Sequence, residues 1–131
     1  MTITVQWDDP EKTILRREIN SLWQWDALIT SIQEGQRMID ATAHQQTVYT
    51  IIVINPEVTS PPSGVVLKWR QYDALRHPRT GLIVVVSERS IVRAFVTMIR
   101  RISPGFRDRY AFSSTLDEAR AIIGAHRAKA Q

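Results

Sequence analysis

Two short runs of β-branched, aromatic and aliphatic residues constrain the fold of this chain more than any other feature. Thr47–Ile54 and Leu82–Val86 contain no charged residue and do not alternate between apolar and polar positions. Such runs are typical of strands that are buried on both faces, as in parallel sheets covered by helices. Both are far shorter than the roughly 20 residues of a membrane helix, so we expect no membrane span. We predict that the two runs are adjacent parallel strands in the middle of a sheet.

The order of the other elements predicts an α/β fold. Thr2–Trp7 alternates strictly, and turn residues join it to a second strand at Thr13–Ile19, which indicates an antiparallel hairpin. A short last strand is predicted at Tyr110–Ser113. Apolar residues at helical spacing predict four helices, which begin near Trp25, Val65, Ile91 and Leu116. The expected order is ββαβαβαβα: one domain over residues 1–131, with a mixed, mostly parallel sheet of about five strands and about four helices.

Helix ends can also be predicted from local signals. Pro78 predicts that the second helix ends near Arg76, and Pro104 with the glycine after it predicts the end of the third. Thr115 and Glu118 form the pattern of a capping box at the start of the last helix.

The residue types that usually carry enzyme chemistry are sparse. The chain has no cysteine, which excludes disulfides, thiolate metal sites and cysteine nucleophiles. His44, His77 and His126 fall on separate predicted elements, and no glycine-rich phosphate loop or nucleophile-elbow motif is present. Asp8 and Asp9 lie in the hairpin turn, where aspartates usually accept hydrogen bonds from the local backbone. We therefore predict no metal, no cofactor and no enzyme activity.

Charge is distributed unevenly along the chain. Residues 1–65 hold four cations and eight acids, whereas residues 66–131 hold thirteen cations and five acids. Such a split permits self-association as a homodimer. The third helix is predicted to carry a basic surface patch, formed by Arg89, Arg93, Arg100 and Arg101. A polyanion could dock on this patch, but the tryptophans lie mainly in the acidic half, away from the arginines, so we expect no nucleic-acid binding.

The most loop-like stretch of the chain is Asn55–Gly64. It follows the carboxyl end of a predicted central strand and leads into a helix, the usual position of functional loops in open α/β sheets. Ser63 would lie at the helix N-terminus, where the helix dipole favours negative charge, and it is the candidate phospho-acceptor; the alternative is that it is only the helix cap. The candidate interaction loop consists of Asn55, Glu57, Thr59, Ser60, Ser63 and Gly64.

The element order and two segments resemble the STAS domain, the module of sulfate transporters and anti-sigma-factor antagonists. The segments are Val48–Ile54 running into Ser63-Gly64, and the ending Tyr110–Ala119. The start, Val5–Pro10 with Trp23–Asp26, looks like an uncharacterised bacterial branch of STAS-like proteins. The resemblance implies a mixed sheet with its helices largely on one side. It also implies that Ser63 is the counterpart of a serine whose phosphorylation controls partner binding.

The resemblance leads to a functional expectation with two alternatives. We expect a cytoplasmic, non-catalytic regulatory module that contacts another protein, such as a kinase or an anti-sigma-type regulator, through the Asn55–Gly64 loop. The first alternative is a binding domain for a small ligand, an anion, nucleotide or lipid held between this loop and the neighbouring helices. The second is nucleic-acid binding through the arginine-rich half.

Overall fold

The computed structural model describes residues 3–20, 24–58, 65–102 and 104–130. These residues form an α/β fold of five strands and five helices. The strands are β1 (Ile3–Trp7), β2 (Ile14–Ile19), β3 (Val48–Ile54), β4 (Thr80–Val86) and β5 (Tyr110–Ser113). The helices are α1 (Trp25–Asp40), α2 (Val65–Asp73), α3 (Ser90–Ile102), α4 (Pro104–Arg109) and α5 (Leu116–Lys129).

The five strands form one sheet in the order β1-β2-β3-β4-β5. β1 and β2 pair antiparallel, as the predicted hairpin requires, and every later pair is parallel. The prediction that the two apolar runs are adjacent parallel strands away from the sheet edges is confirmed, because β3 pairs with β4. Burial on both faces explains why these two strands carry no charge.

The sheet is covered by helices on both faces. Each parallel connection moves one strand in the same direction, so right-handed crossovers bring α1, α2 and α3 to one face. Leu28 of α1 and Val96 of α3 belong to the core on that face, with Trp69 of α2 packed against it. Ala119 and Ile123 of α5 pack on the opposite face. Within the described residues, no helix has the length and apolar character needed to cross a membrane.

One predicted helix boundary was wrong, and one short helix was not predicted. α2 ends at Asp73 and not at Arg76, because the amides of Leu75 and Arg76 donate to carbonyl oxygens three residues back and close tight turns. The predicted end of the third helix near Pro104 is confirmed, since α3 ends at Ile102, but Pro104 is also the first residue of the additional short helix α4. Proline suits the first turn of a helix, where its missing N–H has no intrahelical partner to lose.

The predicted start of the last helix is confirmed in atomic detail. The hydroxyl of Thr115 accepts a hydrogen bond from the amide of Glu118 at 3.1 Å. The carboxylate of Glu118 accepts one from the amide of Ser114 at 3.0 Å. These two hydrogen bonds satisfy amides at the start of the helix, and they fix the position at which α5 begins after β5.

Candidate functional site

The first part of the predicted interaction loop contacts the start of α3. Thr59, Ser60, Ser63 and Gly64 lie outside the described residues. Asn55 Oδ1 accepts a hydrogen bond from the amide of Glu57 at 2.9 Å. Arg89 Nε donates to the carbonyl oxygen of Pro56 at 2.6 Å. The structure therefore brings one residue of the predicted basic patch against the predicted loop.

The other three arginines of the predicted patch lie along α3. Arg93 and Arg101 are exposed, and Arg100 is half-buried. The Arg93 guanidinium lies 5.6 Å from the centre of the Phe112 ring, a cation–π arrangement that ties it to β5. Among the described carboxylates, none forms an ion pair with Arg93, Arg100 or Arg101.

The prediction for Asp8 was wrong, whereas that for Asp9 is confirmed. Asp9 accepts hydrogen bonds from the amides of Thr13 and Ile14, both at 2.9 Å. Asp8 instead binds two arginines on the α5 face of the sheet: Arg16 Nη1 at 2.5 Å and Arg120 Nη2 at 2.9 Å. The hydrogen bond from Arg120 is the main cause that lowers the pKa of Asp8. This cluster joins the acidic half of the chain to the basic half.

A separate cavity lies on the other face of the sheet, between α1, α2 and the strands. Its volume is about 80 Å³. Its lining is mainly apolar and includes Leu28, Ile32, Ile52 and Trp69. The same lining contains a group of polar and charged side chains: Arg17, Thr50, Asp73, Arg76, His77 and Tyr110. By the same measure a water needs about 10–15 Å³, so the cavity has room for a small organic molecule.

Arg17 is the most buried cation of this cavity. The alternation of β2 places it on the same face as the buried Leu15 and Ile19, and only 8% of the residue is exposed. Its Nε donates to Ser31 Oγ at 3.0 Å, and its Nη2 donates to the Ser31 carbonyl oxygen at 3.2 Å. Both acceptors are neutral, and no described carboxylate forms an ion pair with it.

Burial lowers the pKa of Arg17 to about 10, which still leaves the guanidinium charged at neutral pH. The site therefore contains a buried positive charge whose bound partners carry no charge. Such a charge is costly to bury unless something compensates it.

The acidic group of the cavity is already engaged. Asp73 Oδ1 accepts a hydrogen bond from the Tyr110 hydroxyl at 2.7 Å, and Oδ2 pairs with Arg109 Nη2 at 2.6 Å. Burial, followed by the Asp73 charge, raises the pKa of Tyr110, so its phenol stays neutral. Arg76 lines the same cavity, and its Nη1 is buried with no hydrogen-bond partner in the described part of the chain.

Residue-level reasoning on the sequence missed this site. Arg17 and Arg76 were not among the predicted functional residues, and the described lining includes neither Asn55 nor Glu57. The signal for Arg17 was present, because it lies between Leu15 and Ile19 on the apolar side of an alternating strand. For Arg76 no such signal existed, since it follows the end of α2.

Two of the three histidines contact neighbouring segments through both ring nitrogens. His44 contacts the Lys12 carbonyl through Nε2 and the Gln46 amide through Nδ1, and His77 contacts Asp40 and the Arg79 amide in the same manner. No cluster of three potential metal-ligating side chains occurs among the residues that the structure describes.

Comparisons with models of protein families, with curated proteins and with solved structures give no match.

Proposed function

We propose that this chain is a non-catalytic module that binds a small molecule in the cavity between α1, α2 and the sheet. The observation that carries the proposal is Arg17, a buried cation whose described hydrogen-bond partners are neutral and which lies beside a partly empty space. A side chain kept only for packing at this position would be apolar, because burying a charge costs free energy that apolar packing does not. A buried charge next to a cavity is instead typical of a binding site.

The position of the cavity supports a regulatory role. Its walls come from α1 through Ile32, from α2 through Trp69, and from the sheet through Ile52. A molecule that contacts both helices stabilises one spacing between them. α2 begins at Val65, directly after the predicted interaction loop, so a shift of α2 on binding would alter where that loop is presented. The resemblance to STAS domains, whose loop regulates partner binding, supports the same role.

The test is a fragment screen by ligand-observed NMR, followed by mapping of amide shifts on ¹⁵N-labelled protein. We expect hits to shift the amides of residues that line the cavity. Ile32→Phe should abolish binding by filling the space, whereas Ile29→Phe, on the same helix but outside the lining, should retain it. Hits that shift only residues elsewhere, or that survive Ile32→Phe in a folded variant, would contradict the proposal.

A second candidate function is protein contact through the Asn55–Gly64 loop together with the start of α3. The hydrogen bond from Arg89 to Pro56 favours it, because it joins a predicted basic residue to the predicted loop. Binding of partners from the native cell should weaken in Arg89→Met and stay unchanged in Arg101→Met. Ser63→Asp should change the partners if Ser63 is a phosphorylation switch and leave them unchanged if Ser63 is only a cap. Equal recovery of partners by every variant would exclude this surface.

A further inference from the structure

We infer that the ligand of this cavity is a small carboxylate with an apolar body, bound through the guanidinium of Arg17. The inference rests on the proposed function and specifies its ligand class. It follows from two properties of the lining, the sign of its unsatisfied charge and the chemistry of its remaining wall.

The charged side chains that line the cavity differ in whether they already have partners. Asp73 is the one acidic side chain in the described lining, and Tyr110 and Arg109 occupy both of its oxygens. Among the described residues, the hydrogen bonds of Arg17 go to Ser31 alone, through Nε and Nη2, and none involves Nη1. Arg76 contributes a second guanidinium, whose buried Nη1 has no hydrogen-bond partner in the same part of the chain. An anion would compensate the positive charge that the described protein groups leave unpaired.

The apolar side chains of the cavity favour a carboxylate with a hydrocarbon part over an inorganic oxyanion. Leu28, Ile32, Ile52 and Trp69 face the same space as the arginines. Phosphate or sulfate would lose water without gaining hydrogen bonds against these side chains. A carboxylate matches the planar fork of a guanidinium, while its hydrocarbon part would cover the apolar wall.

The volume of the cavity limits the size of the molecules that can serve as probes. A cavity of about 80 Å³ corresponds to about five to eight water-sized groups at roughly 10–15 Å³ each. Butyrate and benzoate lie near this range. Butyramide and benzamide have nearly the same shape without the charge, so each acid has a matched neutral control.

The experiment is a set of NMR titrations of the full chain at constant ionic strength. The probes are the two sodium carboxylates, their amides and inorganic phosphate, and the readouts are the Trp69 indole N–H and the amides that line the cavity. We expect the carboxylates to bind at least about ten-fold more tightly than their amides, as for a charge-assisted hydrogen bond. We expect phosphate to leave the Trp69 signal unchanged.

Two variants assign the charge effect to one residue. Arg17→Met should weaken carboxylate binding by about ten- to one-hundred-fold and leave amide binding nearly unchanged. Arg120→Met removes an arginine from the opposite face of the sheet and should change neither.

The possible failures are distinguishable. If amides bind as tightly as acids, if phosphate binds as tightly as either, or if Arg17→Met has no effect, the carboxylate inference is overturned and the small-molecule site stands. If neither these probes nor a fragment library shifts any cavity residue, the proposed function fails with it.

Discussion

Replacing Arg17 by methionine separates a binding residue from a structural one. Methionine keeps an unbranched side chain that reaches about as far as Nε of the arginine, and it removes both the charge and the hydrogen bonds to Ser31. If the arginine holds the fold together, its loss should resemble breaking a buried ion pair, which costs about 3–5 kcal/mol. If it is retained for a ligand, the fold should tolerate the change.

The magnitude follows from two opposing effects. Burial lowers the pKa of Arg17 from its usual value to about 10, which corresponds to about 3 kcal/mol disfavouring the charged group in the folded state at neutral pH. This cost is fully present below pH 10 and disappears only above the higher pKa of arginine in the unfolded chain. Two hydrogen bonds to Ser31, at 3.0 and 3.2 Å, contribute about 1.5 kcal/mol each at the low end for a charged donor. The two effects nearly cancel.

We therefore expect the free energy of unfolding of Arg17→Met to lie within about 1 kcal/mol of the wild-type value. Urea unfolding at pH 7, followed by circular dichroism, measures it. Leu15→Ala is the control, because Leu15 is buried on the same face of the same strand and its truncation should cost about 2–5 kcal/mol. A loss above about 3 kcal/mol in Arg17→Met would refute the reasoning and make Arg17 a structural residue.

Three further substitutions test the packing and electrostatics around the two faces. Gly35→Ala would place a Cβ 3.0 Å from Nη2 of Arg17, so despite the better helix propensity of alanine we expect a loss of about 1–2 kcal/mol, reduced in the Arg17→Met background and measured by urea unfolding. Asp8→Asn should reduce the loss of stability at acid pH. The folded-state pKa of Asp8 lies below 3.8, so the stabilisation that Asp8 contributes is present above that pH and is lost as the pH falls through the folded value. Unfolding midpoints measured from pH 2 to 7 would show the difference. Thr115→Ala should cost about 1 kcal/mol in thermal or urea unfolding, because the Glu118 amide loses its cap; an unchanged midpoint would contradict this.

The sheet could be predicted because its signals are local. A strand buried on both faces is mostly apolar and avoids charge along its whole length, and Val48–Ile54 and Leu82–Val86 have that composition. The capping box at Thr115 is equally local, since both of its hydrogen bonds lie within five residues. The error at Arg76 concerns a helix end, and the helix that was not predicted begins at Pro104, a residue type that can either stop a helix or start the next.

The cavity could not be predicted because its members come from distant segments. β2 supplies Arg17, β3 supplies Thr50, and the turn after α2 supplies Arg76. The strand pattern shows that Arg17 faces the core, but only the fold shows that its described hydrogen-bond acceptors, both on Ser31, are neutral. The pairing of Asp8 with Arg120 has the same cause, since 112 residues separate the two. The local sequence pattern therefore predicts on which face of the sheet a residue lies, but not which residue it contacts.

The unequal charge of the two halves is partly resolved within the folded chain. Asp8 of the acidic half binds Arg120 of the basic half. Within the basic half, Asp73 pairs with Arg109. Carboxylates that are paired inside the chain in this way do not need a cation from a partner protein. The exposed Arg93 and Arg101 of α3 need no such compensation, because water solvates them. Arg17 is buried and has no described carboxylate partner, which is why we propose that a bound molecule supplies its counter-charge.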